Sequence, residues 1–281
     1  MRRQANVALI ISVYRDLKNL QTIVKALDYQ TVTPHEVVIS EDGDCKEIKD
    51  WVSTLTPKPY DLIHLRQEDL GFRKNRALNK AVRAATASRL IFIDGDCVPH
   101  PNFISAHSSP ILENAVGVGK RVELSPKLST QLLNQPEILL RWRRKRAWIL
   151  SLLTNPLHLP KNPESGLYSE FLQRLYTPNT KDLSILGCNF SVSKERLEFV
   201  NGFDERYTAP GIGEDTDLCY RLKLTGVRFK NLKHAAIQYH LFHPRGYTLN
   251  EQNQSLFNQT RLAQDAWTKF GLIRTAKSTE E

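Results

Sequence analysis

The residues with the clearest chemistry are two carboxylates around a glycine, Asp94-Gly95-Asp96, at the end of the apolar run Leu90-Ile91-Phe92-Ile93. Hard oxygen donors two residues apart can hold a divalent cation such as Mn²⁺ or Mg²⁺ that also takes diphosphate oxygens. The same residues would also serve as a strand-ending turn with solvated carboxylates. A second acidic group, Glu214, Asp215 and Asp217, follows Gly211 and Gly213 where a helical pattern begins. The helix dipole favours carboxylates there, and one of them can act as general base on a substrate hydroxyl. His240 closes another apolar run, Ala235 to Tyr239, and its imidazole is a further candidate ligand for the cation. His243, three residues on, competes for that role.

The elements that must position these groups alternate. Val7 to Ser12 is a near-continuous apolar run and reads as a central strand buried on both faces. Leu17 to Tyr29 carries Leu20, Ile23, Val24 and Leu27 at helical spacing. Strand Glu36 to Ser40, helix Ile48 to Leu55, strand Leu62 to Leu65 and helix Arg73 to Ala87 precede the strand that ends at Asp94. Strand–helix repetition predicts an α/β fold with a mostly parallel sheet and right-handed crossovers. Ligands then bind beyond the carboxyl ends of the strands, where Tyr14-Arg15-Asp16, Glu41-Asp42 and Asp94-Gly95-Asp96 would open together. Neither Gly-x-Gly-x-x-Gly nor a Gly-rich loop with Lys-Ser/Thr follows the first strand, so bound phosphates would be held by metal and basic side chains. Farther on, Val116 to Val122 reads as one strand, Gln131 to Leu153 as helix, and Ile185 to Ser191 as strand. Lys194 to Val200 and Glu251 to Phe270 read as helices, and Thr275 onward as a frayed end.

With 281 residues, 41% hydrophobic and 25% charged, the chain has the composition of an ordinary globular protein. Its four cysteines are scattered without a Cys-x-x-Cys pair, so free thiols are expected rather than a zinc site or disulfide framework. Met1-Arg2-Arg3-Gln4 leads into a strand instead of a signal-peptide core, and no apolar run approaches the roughly 20 residues of a spanning helix. The expectation is a cytoplasmic protein, peripheral to a membrane if it meets one. A net charge of +9 favours an anionic partner. Arg141 to Trp148 interleaves cations with Trp142 and Trp148, the pattern of a helix lying on an anionic membrane. It fits a solvated helix face equally well. No nucleic-acid motif accompanies it, and no nucleic-acid partner is expected.

Taken in order, several blocks resemble the family 2 glycosyltransferases of the GT-A fold, in particular the bacterial lipopolysaccharide and capsule enzymes and the chondroitin-polymerase type. They are Ile11-Ser12-Val13-Tyr14, Val38-Ile39-Ser40-Glu41-Asp42-Gly43, Gly71-Phe72-Arg73-Lys74-Asn75-Arg76-Ala77-Leu78-Asn79-Lys80 and Asp94-Gly95-Asp96. Gly187-Cys188-Asn189, Asn201-Gly202-Phe203-Asp204-Glu205, Gly213-Glu214-Asp215 and Tyr239-His240 follow, and the Gly-Glu-Asp block also looks like that of galactosyltransferases. The resemblance implies a Rossmann-like sheet flanked by helices. It implies one domain over 1–281, with a nucleotide-binding half at about 5–124, a helical insertion at about 125–182 and an acceptor half at about 183–270.

It implies that Asp42 holds the base of a UDP-sugar near Ser12 and Tyr14, that Arg73 lies by the base or diphosphate, and that Asp94 contacts ribose or metal. Asp96 and His240 would bind Mn²⁺ or Mg²⁺, and Asn189 would border the donor sugar. Asp215 would be the catalytic base, with Glu214 orienting the acceptor or donor sugar. Inverting transfer to a glycan or glycolipid in cell-surface polysaccharide or lipopolysaccharide synthesis is the implied reaction. A sugar nucleotidyltransferase is the alternative enzyme, although Ser12-Val13-Tyr14-Arg15 is not its Gly-rich loop. A non-catalytic basic module binding membrane or polyanion is the alternative outside enzymes.

Overall fold

The computed structural model describes residues 3–153, 158–176, 183–244 and 250–273. The chain opens with β1 (Arg3–Val13), α1 (Leu17–Leu27), β2 (Val32–Glu41), α2 (Lys46–Ser53), β3 (Asp61–Leu65), α3 (Lys74–Ala84) and β4 (Arg89–Asp94). β1 is central because Val7 to Ile11 are apolar without a break, which suits a strand covered on both sides. Alternation then sorts its residues. Leu9 and Ile11 pack with Leu20, Ile23 and Val24 of α1, whereas Ala8 and Ile10 pack with Leu78 and Val82 of α3. β1 runs parallel to β2 and β4 in a register that sets Ser12 opposite both Ser40 and Asp94. The carboxyl ends of the three strands therefore share one edge.

Next come β5 (Cys97–Pro99), α4 (Phe103–His107), β6 (Ala115–Val118) and β7 (Lys120–Glu123). The helices α5 (Pro126–Asn134), α6 (Ile138–Trp142), α7 (Lys145–Leu153) and α8 (Glu170–Tyr176) follow. The chain then returns through β8 (Phe190–Ser193), α9 (Lys194–Phe199), α10 (Glu214–Leu224), β9 (Arg228–Asn231), β10 (Ile237–His240) and α11 (Glu251–Ala263). The large sheet has the order β3-β2-β1-β4-β8-β6-β9, and a small one the order β5-β10-β7. Only β8 runs against its neighbours in the large sheet. This is the expected α/β architecture, mostly parallel and flanked by helices.

Four elements differ from the sequence reading. Val116 to Val122 is two strands in two sheets, divided at Gly119. A Cβ on Gly119 would lie 2.1 Å from Asn189 Oδ1, so only glycine lets the chain cross beside that side chain. Gly119→Ala is expected to cost about 2 kcal/mol by overpacking, read as a lowered urea midpoint; an unchanged midpoint would mean Asn189 yields freely. The helix expected over Gln131 to Leu153 begins earlier, where Ser125 caps α5, and is cut into three by Pro136 and a turn at Arg143-Arg144. The strand near Ile185 starts only at Phe190, and the C-terminal helix ends at Ala263, where Gln264 takes a left-handed conformation. The frayed end expected from Thr275 lies outside the described residues.

The tryptophans of the basic stretch are core residues. Trp142 and Trp148 are 2% and 0% exposed. Their rings meet edge to face at 5.2 Å, and both pack on Tyr239. They brace β10 from behind, so a membrane-facing helix built on these two rings is not what the chain forms. Arg141, Arg143, Arg144, Lys145 and Arg146 remain exposed, together with Leu150 and Leu153. No helix among the described residues is long and apolar enough to cross a membrane.

Candidate functional site

A cavity of about 630 Å³ opens at the carboxyl edge of β1, β2 and β4, lined by Ser12, Tyr14, Asp42, Lys74, Asp94, Asp96 and His243 among others. The base-binding candidates meet here. Asp42 is nearly buried, and its two carboxylate oxygens accept from Gln67 Nε2 at 2.7 Å and from the Arg73 backbone N at 2.6 Å. Each oxygen keeps a further lone pair for a ligand N–H. Glu41 turns away, accepting from the Cys45 backbone N and pairing with His64, which leaves Asp42 as the carboxylate at the cavity wall. Arg73 itself is not in the wall, because its guanidinium donates to the Glu68 carbonyl and its backbone N–H orients Asp42.

The second strand end brings metal candidates together. Asp96 Oδ2 lies 3.3 Å from His240 Nε2 and 3.2 Å from His243 Nε2. Both histidines left open by the sequence therefore face the same carboxylate. Burial alone would raise the Asp96 carboxyl; its bond to His240 and the charges of both histidines outweigh that and hold it well below the usual carboxylate range. A carboxylate within 3.3 Å of two imidazole nitrogens fits a divalent cation. Asp94 stands apart from this group, since its Oδ1 is bonded to Lys74.

Lys74 is the residue that sequence reasoning missed. Its Nζ donates to Asp94 Oδ1 at 2.7 Å and to Glu214 Oε1 at 2.9 Å, joining positions 140 residues apart. Burial would lower its pKa, but the two carboxylates more than offset that and keep the ammonium charged. Lys74→Met should expose Asp94 and Glu214 to each other without a counter-charge, at a cost of about 3 kcal/mol. Urea unfolding checks this, and the Lys74→Met/Glu214→Gln double variant should recover most of the loss. A cost below about 1 kcal/mol would mean that solvent screens the bridge.

α10 starts at Gly213 with φ +132°, and a Cβ there would meet the Tyr207 ring at 2.0 Å. The glycine lets the helix begin against that ring and aims the next two side chains inward. Glu214 Oε2 is buried with no hydrogen-bond partner among the described residues. Burial raises the Glu214 carboxyl above the ordinary range; Asp94 and Asp215 add to this while Lys74 opposes it. Asp215 Oδ2 accepts from the Gly187 backbone N at 2.9 Å, and its Oδ1 accepts from Thr216. Asp217, the third acidic residue, belongs to the core, where it pairs with Arg221 at 2.7 Å and accepts from Tyr207.

Asn189 does not border the cavity. It is fully buried, donates to the Lys120 and Ala236 carbonyls, and pairs with His107 Nε2, so its amide ties α4 and β7 to the residue that leads into β10. Other polar residues of these segments are also structural. Asn75 and Asn79, one turn apart on α3, clasp the backbone of Phe203 and Asp204. Asn201 holds Thr268 and Ile273.

Known proteins resemble this chain in sequence and in fold. The profile of glycosyl transferase family 2 matches residues 8–151, and that of the N-terminal domain of galactosyltransferase matches residues 174–244. A validoxylamine A glucosyltransferase of Streptomyces hygroscopicus subsp. limoneus is 28% identical over 79% of this chain and 48% of its own length. The chondroitin synthase of Escherichia coli is 24% identical over 83% of this chain and 34% of its own. The chain thus spans about half or less of these relatives. Among solved structures, S. aureus TarS 1-349 in complex with UDP-GlcNAc superposes with a TM-score of 0.59 at 13% identity, over 94% of this chain and 66% of that one. GalNAc-T7 with UDP, GalNAc and Mn²⁺ gives 0.59 at 13% identity, over 94% and 52%. A mannosyltransferase from Pyrobaculum calidifontis with GDP-Man and Mn²⁺ gives 0.51 at 17% identity, over 93% and 63%. These likenesses identify the fold as GT-A, and with the family profile covering just over half of its residues, the chain belongs to glycosyl transferase family 2.

Proposed function

We propose that the chain moves a sugar from a nucleoside-diphosphate donor, a UDP-sugar, to a hydroxyl of a glycan or glycolipid, with inversion at the anomeric carbon. The observation that carries this reading is the Lys74 bridge: it ties Asp94, two residues from the Asp96 carboxylate that meets His240 and His243, to Glu214, the neighbour of Asp215. Asp42, Ser12 and Tyr14 take the nucleoside, and Asp94 takes the ribose. Asp96 with His240 would hold Mn²⁺ or Mg²⁺, which when bound neutralises the diphosphate as it leaves. Asp215 then draws the proton from the acceptor oxygen as that oxygen attacks the face opposite the leaving group. Gly187 N–H holds one of its oxygens in place for this. Glu214 Oε2, with no partner among the described residues, accepts a sugar hydroxyl and fixes the ring.

The donor half at about 5–124 and the acceptor half at about 183–270 meet at the Lys74 bridge. A glycolipid acceptor of cell-surface polysaccharide or lipopolysaccharide synthesis would bring the protein to the inner face of the membrane. The exposed cations of 141–146 with Leu150 and Leu153 would meet the anionic lipid there.

Incubation with a panel of nucleotide-sugars and Mn²⁺ tests the reading. Slow release of free nucleotide supports it, pyrophosphate-dependent exchange would mean a nucleotidyltransferase, and no turnover with any donor would leave a binding module. A pH profile adds a second check. Burial raises the Glu214 carboxyl, so at a given acidic pH more of it is protonated than of an ordinary carboxylate. If its ionised form is needed, kcat should fall with acid sooner than an unperturbed glutamate would dictate, and Glu214→Gln should lack that acid limb.

A further inference from the structure

The Asp96 cluster contains a thiol that its sequence spacing concealed. β5 pairs antiparallel with β10 so that Cys97 stands directly opposite His240, and cross-strand partners project from the same face. Cys97 Sγ donates to Asp96 Oδ1 at 3.2 Å, and Oδ2 of the same carboxylate meets the two histidines at 3.3 and 3.2 Å. One ligand atom each from Asp96, Cys97 and His240 lies within 4.8 Å of the other two. A tetrahedral site with metal–ligand bonds of about 2.0–2.3 Å has ligand–ligand edges of about 3.3–3.7 Å. Cys97 Sγ lies at about that distance from Oδ1 and His240 Nε2 from Oδ2, and with one ligand atom per residue no edge needs to close by more than about 1 Å. Cys97 is fully buried and His240 nearly so, which keeps competing water away from the sulfur.

We propose that Cys97 Sγ is a third protein ligand at the Asp96–His240 cation site, giving it affinity for a thiophilic divalent ion of the Zn²⁺ class. Carboxylate and imidazole alone do not favour Zn²⁺ strongly enough to exclude Mn²⁺ where Mn²⁺ is abundant; a thiolate shifts that balance. The metal–sulfur bond forms as the Sγ–H proton passes to solvent, one proton per ion. With His243 as fourth ligand, the protein fills a tetrahedral shell and leaves no position for diphosphate, so Zn²⁺ would act as a brake. A hexacoordinate ion on the same residues keeps positions open. The location rests on the proposed function, but the ligand assignment does not need turnover.

The test loads the full chain with Co²⁺ in the absence of nucleotide and records the near-ultraviolet thiolate-to-cobalt charge-transfer band, followed by displacement with Zn²⁺. Wild type and Cys188→Ser should show the band; Cys97→Ser and Cys97→Ala should lack it and bind Zn²⁺ at least tenfold more weakly. Cys188 is the demanding control, because it neighbours Cys97 and accepts from Arg121 at 3.4 Å. Absence of the band in wild type, its persistence in both Cys97 variants, or its loss only in Cys188→Ser would overturn the assignment. Proton release on Co²⁺ binding, measured on wild type alone, keeps the assignment testable if the variants fail to fold: at least one proton is expected, the thiol's with those of any imidazolium that ligates, and none would refute thiolate ligation. A chain that binds Co²⁺ through sulfur yet turns over no donor would sink the proposed reaction and leave this site standing.

Discussion

Asp96→Ala is expected to lower donor turnover by at least a thousandfold, about 4 kcal/mol of transition-state stabilisation, and to abolish its dependence on added metal. Asp96 sits where β4 has ended and the chain doubles into β5, so its carboxylate projects over the sheet edge towards β10. His240 and His243 both face its Oδ2, so removing it leaves two imidazoles with no anion between them. A cation held without this carboxylate would lose charge neutralisation and most of its affinity, and the diphosphate would lose its anchor. The measurement is nucleotide release with Mn²⁺, alongside calorimetric binding of UDP with and without Mn²⁺. Wild-type activity that survives a chelator would refute the role, as would an Asp96→Ala enzyme that still responds to Mn²⁺. Asp94→Ala offers a contrast. Asp94 is bonded to Lys74 instead of the histidines, so metal response should persist there while nucleoside affinity falls.

The sheet and its acidic edge were legible because each signal is local. Val7 to Ile11 and Leu90 to Ile93 are apolar without interruption, and burial on both faces follows directly from that. Asp42, Asp94 and Asp96 end their runs, so a parallel register alone brings them to one edge. What the sequence hid depends on contacts between distant positions. Nothing in Gly71-Phe72-Arg73-Lys74 says that Lys74, and not Arg73, turns into the cavity, because the choice is made by Asp94 and by a glutamate 140 residues away. Asn189 has the composition of a ligand-binding residue, but three partners from separate segments consume its amide. The tryptophans misled for a geometric reason. On one continuous helix, residues six apart would face directions about 120° apart, so both could not enter one core. The turn at Arg143-Arg144 resets the phase and delivers both rings to Tyr239. Cys97 likewise became a ligand candidate only through the pairing of β5 with β10.

Asp215→Asn is expected to leave donor affinity within about twofold of wild type and to lower kcat by 10²- to 10⁴-fold, the usual worth of a positioned general base. The asymmetry follows from where the residue sits. Asp215 lies on the first turn of α10, outside the wall of the nucleotide cavity, and touches neither Asp96 nor the histidines. Its Oδ2 accepts from Gly187 N–H, and the amide oxygen of asparagine can keep that bond, so the fold should tolerate the change. The amide cannot take a proton, so only the chemical step should suffer. Glu214→Gln should behave differently. Its Oε1 partners Lys74 and its Oε2 has no partner among the described residues, so losing the charge perturbs both the bridge and sugar binding. KM should therefore rise together with the fall in kcat. Steady-state kinetics on both variants, with calorimetry for UDP, separates these outcomes. If Asp215→Asn instead weakens UDP binding as much as it slows turnover, the carboxylate is structural and the base must be sought elsewhere. If its kcat stays within tenfold of wild type, proton removal is not assigned to this helix at all, and inversion through Asp215 falls with it.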